Sequence, residues 1–108
     1  MTTVTELHQQ ATFQAVAATT KYLAQHGDRD CCGFAWVTIF DVKLNTKQGK
    51  EFAALGFRKG YGKGAGIQLW NPSGHHTQSI TAKEVGAEAY AKVFEAAGFK
   101  AYAGSRMD

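Results

Sequence analysis

The chain has 108 residues, with 12 Lys or Arg against 9 Asp or Glu for a formal charge of +3. That length fits one domain, and 44% hydrophobic content with a single Pro excludes an intrinsically disordered segment. The longest apolar stretch, around Phe34 to Phe40, is far shorter than the ~20 residues that span a bilayer, so no membrane partner is expected. No charged-then-apolar leader opens the chain, and two adjacent cysteines, Cys31 and Cys32, make no disulfide framework. The expectation is a cytoplasmic protein.

In chain order, residues 3–26 read as a long helix without Gly or Pro, capped by Thr3 or Thr5 and closed by Gly27. Val4, Leu7, Ala11, Ala15, Ala18 and Tyr22 form one stripe at spacings of three and four. Phe13, Val16 and Leu23 form a second beside it. A helix with so broad an apolar face can meet both its own sheet and a partner subunit, and homo-oligomerisation through this helix is expected. Residues 33–42 carry the densest strand signal, aromatic and β-branched as in a buried strand. Residues 45–55 read as a short helix opened by Asn45-Thr46 and ended by Gly56, with Phe57 folding back onto it.

Residues 57–70 read as a glycine-rich loop and a strand, and Asn71-Pro72-Ser73-Gly74 as a turn. Ser79 or Thr81 can cap a helix over 82–97, Thr81 and Glu84 having capping-box spacing, with Val85, Ala89, Val93 and Phe94 inward. Residues 99–104 read as a last strand. Ala53 to Arg58 echoes Glu95 to Lys100: a helix end, a Gly, a Phe, then a basic residue. Shared capping chemistry explains the echo as well as a duplicated unit does. The fold class is α+β, one small domain with three helices on a small, mainly antiparallel sheet of three to four strands.

Charge is uneven along the chain. Residues 1–42 sum to −2, residues 43–63 to +5 and residues 64–108 to zero, and no acidic side chain occurs between Glu51 and Glu84. The basic segment runs into Arg58-Lys59-Gly60-Tyr61-Gly62-Lys63-Gly64, where unshielded backbone N–H groups and cations can cradle a phosphate while Tyr61 stacks. The spacing matches neither a Walker A loop nor a dinucleotide fingerprint, and a bulged hairpin explains the glycines equally well. The polar loop from Trp70 to Ser79 adds Asn71, Ser73, His75 and Gln78 as recognition groups.

Nucleophilic catalysis could use Cys31, beside the polar turn, or Cys32, with His75 or His76 as base, but an enzyme is not the favoured expectation, and acid–base and metal chemistry have no obvious owner. His75 and His76 are adjacent, Cys31-Cys32 lacks zinc-pair spacing, and no paired carboxylates stand at a telling distance. No cofactor is expected.

Three stretches, Cys32-Gly33-Phe34-Ala35-Trp36-Val37, Leu69-Trp70-Asn71-Pro72-Ser73-Gly74 and Ala103-Gly104-Ser105-Arg106-Met107-Asp108, resemble small proteins of unassigned function encoded by tailed bacteriophages. The resemblance covers roughly residues 28–108 and implies the cytoplasm of an infected bacterium as setting. Phages also use small oligomeric proteins to sequester nucleotide-like immune signals, which a phosphate-friendly loop and stacking aromatics would suit. The favoured expectation is therefore a binding protein for a phosphorylated or nucleotide-like small molecule. Its site residues are Arg58, Lys59, Tyr61, Lys63, Trp70, Asn71, Ser73, His75, Gln78 and Arg106. The alternatives are a single-stranded nucleic-acid binder and an inhibitor of a host protein.

Overall fold

The computed structural model describes residues 3–27, 33–60, 66–74 and 79–107. Three helices and four strands follow in the order α1 (Val4–His26), β1 (Gly33–Ile39), α2 (Lys47–Ala54), β2 (Arg58–Lys59), β3 (Ile67–Trp70), α3 (Ile80–Ala96) and β4 (Ala101–Met107). All strand pairs are antiparallel and the sheet order is β2-β3-β1-β4. The α+β expectation holds, with four strands.

From β1 onward the connectivity is βαββαβ, two interleaved split βαβ units of the ferredoxin-like kind. The echo between the two helix ends acquires a tertiary meaning in this arrangement. The N–H groups of Gly56 and Phe57 donate to the carbonyls of Ala53 (3.1 Å) and Phe52 (3.2 Å). Those of Gly98 and Phe99 donate to Glu95 (3.0 Å) and Phe94 (3.1 Å). Both helices thus end in the same Schellman cap, with Gly in a left-handed conformation at φ 108° and 99°. The caps occupy equivalent places in the two units and bring four rings together. Phe52 meets Phe57 at 5.1 Å, Phe94 at 5.6 Å and Phe99 at 5.6 Å between centroids. This cluster places α2 and α3 on one side of the sheet.

Tyr90 extends the core by stacking on Phe94, and Ala35, Val37, Ile39, Ile67 and Ala101 supply the strand side. The long first helix packs on α3 and touches α2, so the expected contact with its own sheet is replaced by a contact with another helix. Its buried stripe is Val4, Leu7, Ala11, Ala15 and Thr19. Small residues make the approach close. Thr19 Oγ1 donates to the Ala82 carbonyl at 2.8 Å, and a Cβ on Gly86 would fall 2.5 Å from that hydroxyl. His8 Nδ1 lies 2.7 Å from the Tyr90 hydroxyl, consistent with a neutral imidazole accepting from it. Burial depresses the His8 pKa below its ordinary value.

Several boundaries differ from expectation. The first strand ends at Ile39, because Phe40 and Asp41 bend away. The last strand runs 101–107, since Phe99 is held back by its cap bond to Phe94. The third helix begins at Ile80, because of the two expected caps it is Ser79 whose hydroxyl accepts from the Ala82 N–H, at 3.1 Å. Val85, Ala89 and Val93 are only half-buried. Sandwiched between α1 and the sheet, α3 instead buries Ala82, Gly86, Ala87, Tyr90, Ala91 and Phe94.

Candidate functional site: an open aromatic sheet face

Successive side chains of a strand point to opposite faces. In β1, Ala35, Val37 and Ile39 go to the helices and are fully buried, whereas Phe34, Trp36 and Thr38 go to the other face. The strand is largely buried, as expected, and among the described residues the helices cover the face of Ala35, Val37 and Ile39. Phe34 remains 38% exposed, and Phe40, just past the strand, 48%.

Register brings further groups onto this open face. Trp70 of β3 pairs with Trp36, Gln68 with Thr38, and Arg58 of β2 with Gln68. On the other flank Tyr102, Gly104 and Arg106 of β4 pair with Thr38, Trp36 and Phe34. Just past the strands the Phe40 N–H donates to the Lys100 carbonyl at 3.0 Å and the Lys100 N–H to Asp41 Oδ1 at 3.2 Å, so this end carries one lysine and one carboxylate. None of these strand positions carries an acidic side chain.

The rings form two stations. At the first, Trp36 and Trp70 stack at 4.8 Å with 29° between planes, and Phe34 meets the edge of Trp70 at 5.9 Å. The Trp36 indole lies flat over Gly104, where an added Cβ would sit 2.7 Å from its Nε1. The Trp70 indole N–H donates to Gln68 Oε1 at 3.3 Å, which fixes the ring on the sheet. Arg106 and Lys83 each approach the Phe34 ring at 5.7 Å, and the Lys83 ammonium also donates to the Gly33 carbonyl at 2.9 Å. At the second station Phe40 and Tyr102 meet at 5.7 Å. Phe40 lies four residues beyond Trp36, about 13 Å along a strand.

The expected site residues separate. Arg58, Trp70 and Arg106 share the open face. Lys59 pairs with Ile67 and alternation sends it to the opposite side of the edge strand. Asn71 serves the turn: its N–H donates to the Ala35 carbonyl at 2.8 Å, its carbonyl accepts from Gly74 at 2.9 Å, and its φ is 48°. Ser73 is buried, with its hydroxyl donating to Asn71 Oδ1 at 3.4 Å. Tyr61, Lys63, His75 and Gln78 lie outside the described residues, as do Cys31 and Cys32.

Phe34, Trp36, Phe40, Gln68 and Tyr102 were not among the expected residues. For Phe34, Trp36 and Phe40 the signal was parity: apart from Thr38, the even positions of 34–40 are large aromatics and the odd ones smaller aliphatics. Among the described residues, no three His, Cys, Asp or Glu side chains gather to hold a metal, and no helix is long and apolar enough to cross a membrane. Comparison with protein-family models, with curated proteins and with solved structures finds no match for the chain.

Proposed function

We propose that the protein binds single-stranded nucleic acid on the open sheet face. The carrying observation is a row of exposed aromatic rings bordered by Arg58, Lys100 and Arg106, with no carboxylate among the strand positions and one, Asp41, beside Lys100 at the end of the row. Unpaired bases stack on aromatic side chains whatever their identity, and cations beside those rings meet the phosphates. An apolar partner would offer no counter-charge to Arg58 and Arg106, and a second copy of the same face would bring further cations to them.

The small-molecule reading draws less support. Arg58 and Lys59 point to opposite sides, and Ser73 is turned into the protein. A mononucleotide covers one aromatic station, whereas a strand of several nucleotides reaches both.

The test is fluorescence anisotropy of labelled single-stranded DNA and RNA oligomers, with mononucleotides and cyclic nucleotides as competitors. Three phosphate contacts predict that log K falls with log salt at a slope of about −2. Oligomers should outcompete mononucleotides by orders of magnitude. Equal competition by a mononucleotide or cyclic nucleotide would restore the small-molecule reading, in which the protein sequesters a nucleotide-like signal.

A further inference from the structure

The outward face of α1 is unlike an ordinary solvated helix surface. A helix turns 100° per residue, so Glu6, Phe13, Ala17 and Thr20 lie on one side, opposite the buried Val4, Leu7, Ala11 and Ala15. Phe13 is 71% exposed, and Val16 beside it is also exposed. Between Glu6 and Lys21 no Asp, Glu, Lys or Arg occurs. The exposed neighbours are Gln9, Gln10, Gln14 and Ala17. A shallow groove beside Phe13 is lined by Gln9, Gln10, Gln14 and Val93 of α3.

We infer that this face pairs with the same face of a second copy of the chain, with the two helices antiparallel. Charge placement selects both the partner and the direction. Glu6 and Lys21 are exposed and lie equally far, about 11 Å along the helix axis, from the point between Phe13 and Gln14. A two-fold axis through that point sets Glu6 of each copy level with Lys21 of the other, which stands on the flank of this face, about 80° round the helix from Phe13, and reaches across the rim with its long side chain. A parallel pair would instead set Glu6 against Glu6 and Lys21 against Lys21. The uncharged middle lets two copies of a protein of net charge +3 approach without local repulsion. In the antiparallel pair each Phe13 ring enters the groove beside Val93 of the other copy, which removes an exposed aromatic from water. The contact uses no residue of the open sheet face, so it stands or falls apart from the proposed nucleic-acid binding.

One helix pair built around two Phe side chains covers less than the ~1,200 Å² of a standard stable interface. A reversible dimer at micromolar concentration follows. Sedimentation equilibrium of the full chain should show monomer–dimer exchange, and Phe13→Glu should leave monomer with an unchanged circular dichroism spectrum. Lys21→Glu reverses two rim pairs and should weaken the dimer about tenfold. Adding Glu6→Lys to it should restore the affinity. Wild-type protein that stays monomeric at its solubility limit would overturn the inference. So would a dimer indifferent to Phe13→Glu, or one lost with Trp70→Ala instead, which would put the interface on the sheet.

Discussion

Replacing Trp70 by Ala tests the sheet face most directly. A base stacked on an aromatic side chain contributes about 1–3 kcal/mol. One face of the Trp70 indole is already taken by Trp36 at 4.8 Å, so a single face remains for a base. Its removal also uncovers Trp36, which takes over part of the stacking. The expected loss is therefore in the lower half of that range, about 1–2 kcal/mol, or roughly fivefold to thirtyfold in affinity. Tyr102 belongs to the other station, so Tyr102→Ala should weaken binding independently, and the double variant should lose the sum of the two effects. That additivity holds only for an oligomer long enough to reach both stations. For a dinucleotide the second substitution should add little. Anisotropy titrations of the four proteins with short and long oligomers give the comparison, with urea denaturation confirming that each variant is folded. If both single substitutions leave the affinity for long oligomers within a factor of two, strand binding on this face is refuted.

Gly56→Ala and Gly98→Ala should each cost about 1 kcal/mol from positive φ alone. Among the described residues no atom lies within 4 Å of a Cβ on Gly98, and only Leu69 Cδ1 is near one on Gly56, at 3.4 Å. Urea midpoints should move equally for the two, and a much larger loss at either would deny that the caps are equivalent. Gly86→Ala acts by contact instead, since its Cβ would lie 2.5 Å from Thr19 Oγ1 and 3.2 Å from Ser73 Cβ. Overpacking of about 1–3 kcal/mol is expected, relieved in part by adding Thr19→Ala; no relief would place the strain elsewhere. For His8, the folded-state pKa lies below the ordinary 6.5, so the unfolded chain binds more protons in the interval between the two. Its contribution is complete above pH 6.5 and is lost as pH falls through the folded value. Wild type should lose more stability than His8→Gln between neutral and mildly acidic pH, and identical pH profiles would remove His8 from the account.

What could be read from the sequence was chemistry confined to a few neighbouring residues. Thr3 and Thr46 cap their helices through hydroxyls that accept from Glu6 and Gly49, and Gly27, Gly56 and Gly98 end theirs as expected. Such caps depend on a single turn of chain and need no tertiary partner. Ser79 and Thr81 are equally competent caps two residues apart, so local chemistry left the start of α3 open between them, and the structure uses Ser79. The first strand was legible as a buried strand, but which of its faces meets the helices was not. Every residue from Phe34 to Ile39 except Thr38 is apolar, so hydropathy does not alternate along it, and only side-chain size records which face the helices cover.

The candidate site was harder still, because it is a product of strand order. Arg58 and Arg106 are distant in sequence and stand on opposite edge strands. They face the same way because each intervening pairing preserves the parity of Trp36, Gln68 and Tyr102. The segmental charge count drew attention to Arg58 and its neighbours, but charge in sequence does not say on which side of a strand it will emerge. Arg58 and Lys59, adjacent in the same basic run, diverge for that reason, while Arg106, from a segment of zero net charge, joins Arg58. A binding face on a sheet is written in the parity of several strands at once, and the aromatic residues recorded that parity better than the lysines did.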